Sequence, residues 1–215
     1  MNNTIPQLQK VFQGDFKVGA AVNKRTLHSA RKLITNQFNS LTAENEMKPA
    51  LLQPNEGEFD FTFSDHLIDF ANHNDISVRG HTLVWHNQCP DWMFKNNQGT
   101  LIDRTTLLNR MDKHIETVVS RYAGQIDSWD VVNEAIADDE DVFLRNSQWL
   151  ELAGENFIER AFHVTHEADP KATLIYNDYN ESDPMKRDKI YKLAKASRKR
   201  CANTWDRNAS PLEYI

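Results

Sequence analysis

Short apolar segments alternating with stretches of helical period constrain this chain more than any other feature. The segments Lys17 to Val22, Ser40 to Asn45, Ser77 to Trp85, Ser128 to Asn133 and Leu174 to Asn177 read as buried strands. Between them, apolar residues recur at the spacing of one helix face. Ser64 opens such a run as a cap, with Leu67, Ile68 and Ala71 turned inward. Leu107, Leu108, Met111, Ile115, Val118, Val119 and Tyr122 form a second. Leu152, Phe157, Ile158, Ala161, Phe162 and Thr165 form a third, and Ile190, Tyr191, Leu193 and Ala194 a fourth. Strands alternating with helices make βαβ units and a parallel sheet. A parallel α/β sheet binds its ligands at the C-terminal ends of the strands, in closed barrels and open sheets alike. The alternation alone does not separate those two architectures.

Glu44, Asn45, His81, His86, Asn133, Glu134, Asn177 and Asp178 all fall at that edge. Glu134 ends the segment Trp129-Asp-Val-Val-Asn-Glu134, and a carboxyl group at the mouth of an apolar strand loses part of its hydration. That favours the protonated form and suits a general acid. Asn133 beside it can hold a substrate hydroxyl. In Gly80-His-Thr-Leu-Val-Trp-His86, alternation puts His81, Leu83 and Trp85 on one face. A histidine and a tryptophan there suit a sugar, one bonding hydroxyls and the other covering the apolar face of the ring. A zinc site is the competing reading. His81 and His86 are wrongly spaced to share an ion on a strand or a helix face, and no cysteine pair of ligand spacing accompanies them. No metal is therefore expected. Glu44, Asn45 and Lys48 can serve several hydroxyls at once, whereas Glu46 reads as an ordinary loop charge. Tyr179 is either a stacking platform or a packing tyrosine in a polar turn.

A net charge of -6 disfavours nucleic acid as partner. No apolar run has the length of a membrane span. The polar start, Met1-Asn-Asn-Thr-Ile-Pro6, lacks the features of a signal peptide, so a cytoplasmic location is expected, or a secreted one if a signal has been removed. The 2 cysteines, Cys89 and Cys201, give no disulfide framework.

The order and spacing of four stretches carry a resemblance. Leu41-Thr-Ala-Glu-Asn-Glu-Met-Lys48, Val78-Arg-Gly-His-Thr-Leu-Val-Trp-His86, Trp129-Asp-Val-Val-Asn-Glu-Ala135 and Tyr176-Asn-Asp-Tyr-Asn180 resemble glycoside hydrolase family 10, the endo-β-1,4-xylanases. The likeness runs from about Leu8 to about Lys195. It implies an α/β fold, the first five β/α units of a (β/α)₈ TIM barrel, and retaining cleavage of xylan or xylo-oligosaccharides without a cofactor. Glu134 is then the acid/base. Asn133 and His81, supported by His86, hold the sugar at the cleavage site. Glu44, Asn45, Lys48 and Gln88 bind its neighbour on the non-reducing side, Trp85 lines the cleft floor, and Tyr179 borders the leaving-group side.

The family's nucleophile lies in an Ile-Thr-Glu-Leu-Asp-like strand, and nothing in this sequence matches it. Retention requires two carboxyl groups about 5–5.5 Å apart, so this chain alone is expected to be inactive, or to bind sugar without cleaving it. Residues 196–215 match nothing in the family. Yet Lys199 to Ile215 back-translates, with permitted codons, to a DNA whose second frame reads Arg-Gly-Val-Pro-Ile-His-Gly-Ile-Gly-Met-Gln-Ala-His-Trp-Asn-Ile. That is the family's next strand. Third bases are free; second bases are not, and Trp205 followed by Asp206 forces a glycine. Residues 1–195 are thus expected to be barrel, and the tail the product of a frameshift between about Lys195 and Lys199. A sheet cut after five strands leaves open edges at Lys17 to Val22 and Leu174 to Asn177, and such edges recruit other chains. Self-association is expected.

Overall fold

The computed structural model describes residues 5–204 and 213–214, with side chains described for residues 5–196. In chain order the elements are α1 (Leu8–Val11), β1 (Gly19–Val22), α2 (Lys24–Ser29), α3 (Arg31–Gln37), β2 (Ser40–Ala43), α4 (Pro49–Leu52), α5 (Thr62–His73) and β3 (Ser77–Trp85). A 3₁₀ turn at Asp91–Met93 leads to α6 (Arg104–Arg121), β4 (Ser128–Asn133), α7 (Gln148–Ala153), α8 (Asn156–Ala168), β5 (Thr173–Asn177), α9 (Pro184–Thr204) and β6 (Glu213–Tyr214).

The strands form one sheet in the order β1-β2-β3-β4-β5-β6, with every neighbouring pair parallel. Sequential order with helical crossovers is the connectivity of a (β/α)₈ barrel and not of a doubly wound sheet, whose order reverses at a switch point. The alternation that left both architectures open is thus resolved by strand order. β3 against β4 and β4 against β5 each carry a register shift, at His81/Val84 and Asp130/Val132.

Side-chain caps fix the starts of three helices. Asn23 caps α2 by accepting from the amides of Arg25 and Thr26, Asp103 caps α6 through Thr106, and Ser147 caps α7 through Leu150. The core lies between sheet and helices. Leu107, Met111, Ile115, Val118 and Val119 of α6 and Phe157, Ile158, Ala161 and Phe162 of α8 are all buried there.

Some expectations need correction. Strand β1 starts at Gly19 rather than Lys17, and β2 stops at Ala43. Ser64 is no cap: α5 begins at Thr62, with Phe61 before it, and Ser64 is buried inside the helix. The third helical run is two helices. Gly154, at φ 68°, ends α7 in a backbone conformation that costs glycine little, and α8 starts two residues later. Tyr191 faces outward at 63% exposure, so α9 buries Leu193 and Ala194 without it. The open edge expected at β5 is partly covered, because Glu213 and Tyr214 pair with Ile175 and Tyr176. The outer edge of β1 has no strand partner among the described residues. The tail expected from a frameshift, residues 196–215, lies in part outside the described residues, at 205–212 and 215; residues 196–204 continue α9.

Candidate active site

Glu134 follows β4 directly, and its backbone has φ 56°, a left-handed conformation uncommon for a side chain with a Cβ. Three hydrogen bonds hold it there. Its N–H donates to the Asn177 carbonyl at 2.8 Å, its carbonyl accepts from Arg145 Nε at 2.9 Å, and its Oε2 accepts from Trp85 Nε1 at 2.9 Å. The carboxyl group is therefore set against the edge of an indole that is itself only 9% exposed. The indole is fixed from behind, since Trp149 Nε1 donates to the Trp85 carbonyl at 3.0 Å and Trp149 packs between Phe94 and Phe157.

His81 and Trp85 come together, their ring centroids 6.3 Å apart. Simple alternation is not the whole reason. His81 opposes Asp130 and Val84 opposes Val132, so the pairing skips between them, and Leu83 is buried in the core. The buried Asp130 carboxylate takes His81 Nδ1 at 2.8 Å and Arg79 through both Nε and Nη2. A carboxylate only accepts, so Nδ1 carries the proton and Nε2 is the nitrogen left for a ligand. Arg79 also donates to Asn177 Oδ1 at 3.0 Å, which turns the Asn177 amide nitrogen to Asn133 Oδ1 at 2.7 Å. Asn133 is thereby oriented beside Glu134 by a chain that runs from Arg79 on β3 through Asn177 on β5.

On the other side of Trp85, Lys48 Nζ stands 5.0 Å from the ring centroid and donates to Asn45 Oδ1 at 2.9 Å. Gln88 Nε2 reaches the same oxygen at 3.5 Å, and Glu44 accepts from Asn23. Burial lowers the Lys48 pKa, and the charges of Glu134, Glu44 and Glu46 oppose that shift. Glu46 also accepts from the Asn45 amide, a local role beyond that of an ordinary loop charge. His86 is exposed and lies edge-on to Trp85 at 5.9 Å; desolvation by surrounding protein, then Arg145, lowers its pKa. Its exposure rules out a core-packing role.

Tyr179 sits in a network the sequence reading missed. Its hydroxyl accepts from Arg145 Nη2 at 2.7 Å and donates to Asp138, while Lys186 Nζ stands 4.6 Å from its ring. Lys186 is 2% exposed and bonds Ile136 O, Asp138 and Asp178. Lys186 first, then Tyr179, hold the Asp138 carboxyl well below the usual range. Buried Tyr176 donates to Asp178 and accepts from the Ile136 amide; burial and the Asp178 charge raise its pKa. Arg145, Asp138 and Lys186 gave no sequence signal because they lie in a loop and a helix with no motif of their own. Among the described residues no group of three or more His, Cys, Asp or Glu side chains can hold a metal ion, and no helix is long and apolar enough to cross a membrane.

A carboxyl group on an indole, with amide, imidazole and ammonium groups around it, thus stands at the C-terminal ends of parallel strands, the ligand-binding edge of an α/β barrel. The chain belongs to glycosyl hydrolase family 10, whose description matches residues 7–203. An endo-1,4-beta-xylanase of Geobacillus stearothermophilus is 51% identical over 200 residues, covering 92% of this chain and 60% of that protein. The structure of xylanase XynB from Paenibacillus barcinonensis superposes with a TM-score of 0.90 at 48% identity, covering 92% of this chain and 60% of that one. An intracellular xylanase from Thermoanaerobacterium saccharolyticum, solved as a mutant in complex with xylotriose, gives 0.86 at 42% identity, covering 92% and 64%. The chain therefore spans about 60% of the length of these relatives, and its sheet is the corresponding part of their fold.

Proposed function

We propose that this chain is the acid/base-bearing part of a retaining endo-β-1,4-xylanase, with xylan or xylo-oligosaccharide as substrate. The observation that carries the reading is Glu134 at the end of β4, its Oε2 held by the Trp85 indole at 2.9 Å. A carboxyl group positioned at the ligand-binding edge can protonate a departing glycosidic oxygen and then deprotonate the attacking water. Asn133 and His81, with His86, take the sugar at the cleavage point. Glu44, Asn45, Lys48 and Gln88 take the next one on the non-reducing side, over the floor made by Trp85. Tyr179 borders the leaving group.

No segment of the 215 residues supplies the matching nucleophile. The chain by itself then has half of a carboxylate pair and forms no glycosyl intermediate. The purified chain is expected to release no reducing sugar from xylan above background. Turnover that disappears in Glu134→Gln would overturn this, and would require the nucleophile to come from another residue or chain. A second reading, binding without cleavage, is favoured by one observation: Lys48, Asn45, Gln88 and Trp85 are already assembled here. Calorimetric titration with xylotriose tests it. The frame change near Lys195 to Lys199 is proposed on the codon argument, and sequencing the DNA across it decides the matter.

A further inference from the structure

The segment between Glu134 and Arg145 is a closed excursion. Ile136 bridges Leu144, the Ala137 amide donates to the Phe143 carbonyl at 3.1 Å, and the Arg145 amide donates to the Ala135 carbonyl at 2.7 Å. Helix α9 clamps the tip, with Lys186 on Ile136 O and Asp138 and Lys189 on the carbonyls of Asp139 and Val142. The Arg145 side chain closes the base. Its Nε takes the Glu134 carbonyl at 2.9 Å, and its Nη2 takes Tyr179 Oη at 2.7 Å and Asp138 Oδ2 at 3.0 Å. Desolvation pulls the Arg145 pKa down, but its bonds to Tyr179 and Asp138 outweigh that and leave it raised. The guanidinium is thus a permanent cation whose Nε and Nη2 donors are committed to this base.

Glu134 needs such support. Its left-handed backbone is unfavourable for a residue with a Cβ and persists only where the surroundings over-determine it. The Asn177 carbonyl fixes one side of that residue and Arg145 the other. We propose that Arg145 is a positioning residue that holds Glu134 in its left-handed conformation, and so its carboxyl on Trp85, while tying that placement to Tyr179 on the rim after β5. A lysine could keep the charge but has no planar fork to bond the Glu134 carbonyl and the Tyr179 hydroxyl together. The inference rests on the acid/base reading of Glu134, but its test reads where Glu134 sits and not what Glu134 does.

The probe is the Trp85 indole N–H in the whole chain labelled with ¹⁵N-tryptophan, because that hydrogen bonds Glu134 Oε2. Trp85→Phe assigns the resonance, and spectra of the sedimented chain serve equally if it self-associates. Arg145→Met should move the Trp85 signal to the position it takes in Glu134→Ala. Arg145→Lys should leave it in between, and Tyr179→Phe should move it part of the way. The Trp129 indole, fully buried and without a hydrogen-bond partner, should stay in place in every variant. An unmoved Trp85 signal in Arg145→Met overturns the proposal. Equal movement of Trp85 and Trp129 also overturns it, since Arg145 would then hold the fold in general. An unmoved signal in Tyr179→Phe removes the coupling to the rim. Failure of the acid/base reading shows elsewhere, in the leaving-group dependence of a frame-restored enzyme.

Discussion

Acidification should destabilise this fold through one buried histidine, His114 on α6. It is 2% exposed, stacks on Phe59 at a centroid distance of 6.1 Å, and donates from Nδ1 to Gln53 Oε1 at 2.7 Å. Its Nε2 is buried with no partner. Nothing there receives a second proton, and burial lowers its pKa from 6.5 to about 4. The unfolded chain takes up that proton at the ordinary value while the folded one resists it. Stability from this residue is therefore complete above about pH 6.5 and is lost as the pH falls toward about 4. One pKa unit is worth about 1.4 kcal/mol, so the loss between about pH 7.5 and pH 4.5 comes to about 2.5 kcal/mol. With a urea m-value of about 2.5 kcal/mol/M, the unfolding midpoint should drop by about 1 M. Urea titrations followed by tryptophan fluorescence at the two pH values, in wild type and His114→Gln, measure it. The variant loses some stability at both pH values because its packing is worse. Its acid-dependent drop should nonetheless be smaller by about 1 M, since carboxylates such as Asp65 and Asp138 titrate alike in both proteins. Equal drops in the two proteins would refute the reasoning.

Three other outcomes are expected. In a frame-restored gene, Glu134→Ala should lose most activity on substrates with poor leaving groups and much less on activated aryl glycosides, which need little protonation; equal losses would exclude Glu134 as the acid. Gly80→Ala should cost about 3 kcal/mol or more, read as a lower urea midpoint, because the new Cβ would lie 2.2 Å from Cε3 of the fully buried Trp129 ring; an unchanged midpoint would mean that ring can move. The chain should self-associate through β1, whose outer edge has no strand partner among the described residues, so sedimentation velocity should show concentration-dependent oligomers that Ala21→Lys reduces; a strictly monomeric chain with a sharp, reversible thermal transition would contradict this.

Sequence alone determined the strand ladder and the residues at its C-terminal end. All five apolar segments form strands, and β3 and β4 have the bounds expected of them. This information is local. A buried parallel strand is a short apolar run, and the polar residue that follows it must stand at the ligand edge wherever the strand pairs. Sequence also placed Asn45, His81, Asn133, Glu134 and Asn177 at one edge; Asn45, Asn133, Glu134 and Asn177 end or closely follow neighbouring strands of the sheet, and His81 lies within β3. The bonds that orient them were not legible. Arg79 and Asp130 are 51 residues apart, Arg145 and Tyr179 34, Lys186 and Asp138 48, and Trp149 and Trp85 64. Each pair depends on the register of neighbouring strands, on the skips at His81 and Asp130, and on how α9 packs over the loop after β4. The alternation rule placed Leu83 with His81 and Trp85 because it assumes a regular strand, and the skip in pairing removes that premise. The left-handed turn at Glu134 likewise has no glycine to announce it, because its support comes from Asn177 and Arg145, distant side chains and carbonyls that only the folded sheet brings within reach.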